Sequence, residues 1–127
     1  MIRHGASLVR AFASAKVPKL TVILRKAYGG AYITMNSRDL GADLVLAWPE
    51  AELGIMSARA AVGVVHRREL AAADDVDALR AQLADEYFTE HLRAETAAAS
   101  GFVDELVEPA DTRDRLAGAL WTLAGGR

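Results

Sequence analysis

The 127-residue chain contains no cysteine. That excludes disulfides, thiolate metal sites and a cysteine nucleophile, and it suits a reducing compartment. Aromatic residues make up only 6 % of the chain and do not interleave with a basic stripe. Together with a net charge of −2, this argues against a nucleic-acid binder. The basic pairs Arg25-Lys26 and Arg67-Arg68 stand alone. No apolar run approaches the roughly 20 residues of a membrane span. The opening Met1-Ile2-Arg3-His4-Gly5 lacks the apolar core of a signal peptide, so a cytoplasmic location is expected. Histidine is scarce: His4, His66 and His91 share no ligand spacing and read as surface or packing residues. No HExxH, GxSxG or P-loop pattern occurs, so neither a metal site nor a side-chain nucleophile with its base is expected.

What is present is an ordinary globular composition, 52 % hydrophobic and 25 % charged, in a length that suits one domain. Residues 2–15 carry an amphipathic helical pattern, with Ile2, Leu8, Val9, Phe12 and Ala13 on one face. Pro18 closes it. The β-branched run at 20–25 predicts a buried strand, and a short helix over about 31–38 follows, capped by Gly41. Asp43–Trp48 predicts a second buried strand and Glu52–Met56 a short third one. Ser57 is placed to cap a helix running to about Leu70. Asp74 or Asp75 starts a long helix to about Ala99, ended by Gly101. Residues 102–107 read as a short extended segment. Asp111, with Asp114 behind it, is placed to cap a last helix, and residues 125–127 read as a frayed end. Strands alternating with helices give an α/β fold class.

The stretch RKAYGGAYITM, residues 25–35, hands a strand over to a helix through Gly29 and Gly30. One reading is a plain turn. The other is a backbone anion site, because the first N–H groups of a helix lack internal partners and glycine lets a ligand approach the chain closely. Such a pair of N–H groups is the usual form of an oxyanion hole.

Three stretches in order, IRHGASLVRAF, VPKLTVILRKAYGGAY and LGADLVLAWPEAELGIM, resemble the carboxyltransferase β subunit of biotin-dependent acyl-CoA carboxylases, of the actinobacterial propionyl-CoA and acetyl-CoA type. The resemblance spans nearly the whole chain and falls on the C-terminal half of that subunit. It implies a ClpP/crotonase-like carboxyltransferase C-terminal domain, incomplete at its N-terminus, over residues 1–127. It also implies transfer of a carboxyl group from carboxybiotin to the α-carbon of an acyl-CoA, with two oxyanion holes in place of a side-chain nucleophile. By the motif match, Gly30 and Ala31 supply the biotin-side hole, and Gly29, Ile33, Met56 and Ser57 border the substrate. Biotin would come on a biotin carboxylase/biotin carrier α subunit, since this chain has no Met-Lys-Met biotinylation motif. A homo-oligomer formed through carboxyltransferase halves is implied as well.

The chain departs from the family pattern at two places. Ile33 stands where propionyl-CoA-type members commonly have Asp, which implies either a different acyl preference or simple packing. The segment Met56-Ser57-Ala58-Arg59-Ala60-Ala61-Val62 lacks the two glycines of MGAxGAV, and Arg59 is added at the pocket's edge. The apparent start inside a domain leaves three expectations open: an inactive-alone piece of a carboxyltransferase, a non-catalytic remnant or interaction module, or a biotin-dependent acyl-CoA decarboxylase subunit.

Overall fold

The computed structural model describes residues 2–125, and for Ile2 the backbone only. Two small parallel sheets form its centre. The larger has the order β1-β3-β5, with β1 at Leu20–Ile23, β3 at Leu44–Ala47 and β5 at Glu105–Leu106. Leu20 stands opposite Leu44 and Ile23 opposite Ala47, while Ala47 stands opposite Leu106 on the other side. The smaller pairs β2 (Lys26–Tyr28) with β4 (Glu52–Gly54), Lys26 opposite Glu52 and Tyr28 opposite Gly54.

Strand β3 reads Leu-Val-Leu-Ala without alternation because both of its faces are covered. Val45, Leu46 and Ala47 are each 0 % exposed. Ile23, Leu53, Ala94, Ala97 and Val103 gather with Val45 and Ala47 into the main core. Burying a side chain such as Leu46 contributes about 1.5–3 kcal/mol. A second, smaller cluster of Val62, Leu70 and Ala84 joins α3 (Ala58–Val65) and α4 (Arg67–Ala71) to α5 (Val76–Tyr87).

The expected elements form, with corrections at their ends. Strand β1 stops at Ile23, and a separate strand β2 follows that the residue pattern did not indicate. Helix α2 is Gly29–Thr34, earlier and shorter than expected. Asn36 then takes a left-handed φ of +69°, and the 3₁₀ turn Arg38–Leu40 is closed by Gly41 at φ +95°, whose N–H donates to the Arg38 carbonyl at 2.9 Å. The helix from 58 to 70 is interrupted at His66. Ser57 occupies the capping position of α3, yet its hydroxyl makes no capping bond. Asp75 caps α5 by accepting the Ala78 N–H at 3.0 Å.

The single long helix expected to Ala99 is broken. A π-helical turn at Phe88–Leu92 and an extended Arg93 separate α5 from α6 (Ala94–Ala99). Gly101, at φ +80°, ends α6 as expected. Asp111 is not the cap of the last helix: a 3₁₀ turn at Pro109–Asp111 runs directly into α7 (Thr112–Gly125). The Thr112 hydroxyl donates to the Glu108 carbonyl at 3.0 Å and accepts the Trp48 indole N–H at 2.9 Å. Gly125 is still helical, and residues 126–127 lie outside the described residues.

Helix α1 (Ile2–Ser14) forms, but its apolar face is only partly covered: Leu8 is exposed, whereas Val9 and Phe12 are half-buried. The side chain of Ile2 lies outside what is described. No described helix is long and apolar enough to cross a membrane.

Candidate functional site

Strand β2 delivers the chain to the glycine pair. Tyr28 is the last extended residue, at φ −117° and ψ 135°. Gly29 then takes φ +57°, in the left-handed region where a Cβ is strained. A Cβ there would also lie 3.0 Å from the Ile55 carbonyl oxygen. Gly29 is therefore fixed by conformation and by close approach. Gly30 differs: a Cβ would meet nothing within 4 Å, and the residue is exposed. Ala31 is exposed too. Both stand in the first turn of α2, where the helix offers their N–H groups no acceptor. With only six residues, α2 carries a small dipole. Any anion held here is held by the N–H groups themselves rather than by the helix behind them.

Two clefts flank this turn. One, of about 690 Å³, opens along β1 and is lined by Phe12, Val22, Tyr28, Ala31, Tyr32 and Met35 among others. The other, of about 340 Å³, lies between α2, the end of β4 and α6. Gly29, Ile33, Ile55, His91, Ala97 and Phe102 are among its lining residues. Tyr32 borders both clefts.

The expected site residues are thus brought together only in part. Ala31 lines the first cleft, and Gly29 and Ile33 line the second. Ile33 is half in solvent rather than packed. Gly30, Met56 and Ser57 line neither cleft, although Gly29 and Ala31 on either side of Gly30 do, as does Ile55 beside Met56.

The residue pattern did not point to Tyr28, Glu52 or Tyr32. The Tyr28 hydroxyl donates a hydrogen bond to the Glu52 carboxylate across the β2–β4 pair. Burial, that hydrogen bond and the negative charge of Glu52 push the Tyr28 phenol up to about 12. Burial, with the negative charge of Asp39, also raises Tyr32. The Tyr32 hydroxyl is itself buried without a hydrogen-bond partner among the described residues. The residues carry only a faint trace of the Tyr28–Glu52 pair: Lys26-Ala27-Tyr28 and Glu52-Leu53-Gly54 each place one apolar residue between outward ones, too few to fix a register. Among the described residues, no three His, Asp or Glu side chains are grouped so as to hold a metal ion.

Comparison with known proteins gives the family. The carboxyl transferase domain family matches residues 1–125. The chain belongs to that family. It is 52 % identical over 120 residues to the methylmalonyl-CoA carboxyltransferase 12S subunit of Propionibacterium freudenreichii subsp. shermanii, covering 94 % of this chain and 23 % of that protein. It is 52 % identical over its full length to the carboxyltransferase subunit of a propionyl-CoA carboxylase from Haloferax mediterranei, covering 25 % of that subunit. It is also 46 % identical, again over its full length, to the α subunit of a methylmalonyl-CoA decarboxylase from Propionigenium modestum.

Among solved structures, a transcarboxylase 12S crystal structure described as a hexamer, with methylmalonyl-coenzyme A bound, superposes with a TM-score of 0.91 at 52 % identity. The match covers 98 % of this chain and 24 % of that one. The β subunit of a geranyl-CoA carboxylase from P. aeruginosa superposes with a TM-score of 0.79 at 30 % identity. The carboxyltransferase family membership and the crotonase-like fold that the resemblance implied, and the α/β class read from the residues, are borne out. The chain spans about a quarter of the length of the relatives it matches.

Proposed function

We propose that this chain is the C-terminal portion of an acyl-CoA carboxyltransferase domain and that it provides the biotin-side half of the active site. The observation that carries the reading is the Gly29–Gly30–Ala31 turn, set beside an open cleft in a chain 52 % identical to a methylmalonyl-CoA carboxyltransferase subunit. In this reading the N–H groups of Gly30 and Ala31 hold the ureido oxygen of biotin. Biotin, carried on a partner subunit, would supply the transferable carboxyl group. The open surroundings of Gly30 fit this role: a Cβ there would meet nothing within 4 Å, so no side chain crowds the backbone on that side. What the chain itself does is orient that oxygen and stabilise the negative charge that develops on it. Removal of one such donor typically costs about 3–4 kcal/mol in the barrier.

The acyl-CoA is held mainly by other parts of the assembly. Ile33, half exposed at the mouth of the second cleft, presents an apolar wall and favours a longer acyl chain. By the motif match alone, Met56 and Ser57 border the substrate from the segment after β4, next to Ile55 of the second cleft. A homo-oligomer and a biotin-carrying α subunit complete the active unit, which works in a cytoplasmic setting. A decarboxylase role uses the same half-site in reverse, and the Propionigenium modestum relative keeps it as the second reading.

The test is the reverse half-reaction, methylmalonyl-CoA plus biocytin, run with this chain alone and with an added N-terminal carboxyltransferase half. Activity in the mixture is expected. Gly30→Val should then lower turnover at least about 100-fold while the chain still folds, because nothing lies where the new side chain goes. Near-normal turnover in Gly30→Val removes the oxyanion assignment. A soluble, folded chain that is inactive in every mixture favours a non-catalytic role.

A further inference from the structure

The glycine turn needs something to hold it still. A catalytic donor must be fixed to within a fraction of an ångström before the charge develops, since its value lies in not having to reorganise. The turn's own fastenings are slight. Strands β2 and β4 pair over three residues each, and a two-stranded ribbon of that size is marginal by itself. Helix α2 has six residues and no side-chain cap at its start. Its capping position is Tyr28, whose side chain makes no capping bond and turns instead toward β4.

Three contacts make up for this, and all converge on β4. The Glu52 N–H donates to the Arg25 carbonyl at 2.6 Å, just before β2 begins. Gly54, opposite Tyr28, is overlain by Leu92: a Cβ on Gly54 would come within 2.4 Å of a Leu92 methyl. Glu52 and Arg93 form an antiparallel bridge that ties the start of β4 to the end of the π-helical turn. Strand β4 is thus anchored from behind. The side-chain link that carries this rigidity forward to the turn is the hydrogen bond from the Tyr28 hydroxyl to the Glu52 carboxylate. It is made by the residue immediately before Gly29, in a half-buried place beside the cleft that Ala31 also lines.

We propose that Tyr28 and Glu52 form a positioning pair: the phenol–carboxylate bond locks β2 to the anchored β4 and so sets the Gly30 and Ala31 N–H groups for the reaction. The pair acts through the backbone and touches no reacting atom. This rests on the reading of those N–H groups as an oxyanion hole, and the test separates the two.

The test pairs amide exchange on this chain with turnover in the complemented carboxyltransferase. In Tyr28→Phe, the amides that close α2 are followed, including Met35, which donates to Ala31 and Tyr32 carbonyls. They should exchange about tenfold faster than in the parent, while the Trp48 amide, bonded to Ile23, keeps its rate. Turnover should fall about tenfold with KM for the acyl-CoA within twofold. Glu52→Gln keeps an acceptor for the phenol and should stay within about threefold of the parent on both readouts. Unchanged α2 exchange in Tyr28→Phe overturns the proposal whatever the turnover. Faster α2 exchange with unaltered turnover overturns the pair's part in catalysis by removing the oxyanion reading itself. If Tyr28→Phe loosens the whole chain, Glu52→Ala is compared with Glu52→Gln. Slower turnover in the alanine variant alone upholds the pair, and equal behaviour of the two overturns it.

Discussion

The sheet layer and the helical hairpin of α3, α4 and α5 are both rich in apolar residues, and they use them differently. In the sheet, consecutive residues Val45, Leu46 and Ala47 are all at 0 % exposure, because strand neighbours close the edges and helices close the faces. In the hairpin, Val62 is at 0 % while Val64 and Val65, two and three residues on, stand at 69 % and 67 %. A helix shows its neighbour one stripe and shows the rest to its surroundings. The centre of the sheet is therefore specified from inside this chain. The hairpin is specified along one side and carries an apolar outer side that this chain leaves open.

The largest expected effect that tests this contrast is a pair of core truncations followed by denaturant unfolding. Leu46→Ala should cost about 4 kcal/mol, since β3 is held on all sides and cannot collapse into the cavity. Leu70→Ala, 5 % exposed at the end of a short helix, should cost about 2 kcal/mol because α4 can shift to fill the gap. Equal losses would break the comparison.

A smaller effect is expected at the glycine pair. Gly29→Ala should cost about 1–2 kcal/mol, from its left-handed φ and the nearby Ile55 carbonyl. Gly30→Ala should stay within about 0.5 kcal/mol, as a substitution in open space does. A comparable cost at the two positions would mean that Gly30, too, is required by the fold, and would weaken the case that it is kept open for a ligand.

The smallest effect is a pH dependence that belongs to the sheet side alone. The phenol of Tyr28 is raised from 10.0 to about 12, so the folded state holds its proton more tightly than the unfolded chain. The stability this contributes is complete below pH 10 and is lost as the pH rises toward 12. Solvent in the adjoining cleft keeps it small. Alkaline unfolding of Tyr28→Phe should lack this component, and a parent and variant with parallel curves from pH 9 to 12 would remove it.

The same contrast explains what could be read from residues alone. Leu20–Ile23 and Leu44–Ala47 are legible as strands because each is a short apolar run, β-branched in the first, with proline close by to keep it too short for a buried helix. Lys26–Tyr28 was not, since three residues with one buried among them carry almost no periodicity. The break between α5 and α6 was invisible for another reason. Neither glycine nor proline marks it, alanines continue beyond it, and local propensity favours an unbroken helix. The interruption is imposed by tertiary contacts, with Leu92 seated on Gly54 and Arg93 bridged to Glu52. At Asp111 the capping pattern was present in the sequence, but Pro109 had already started a 3₁₀ turn, which left Asp111 no first-turn N–H groups to cap. The site was legible where it is backbone: two adjacent glycines after a strand mark the turn. It was not legible where it depends on register, because Tyr28 and Glu52 are 24 residues apart and meet only once β2 and β4 are aligned.

The π-helical turn at Phe88–Leu92 has a consequence for how this segment can change in length. Such a turn holds one residue more than an α-helical turn. Thr89 and Glu90 within it are exposed, so either can be exchanged for another polar residue with little cost. Deleting either one is a different matter. The helix would straighten, every residue after it would rotate by about 100° around the axis, and Leu92 would leave the place over Gly54. The extra residue acts as a spacer cut to size: this stretch accommodates drift in its letters while its count is held fixed by a strand 34 residues upstream, from Gly54 to Phe88.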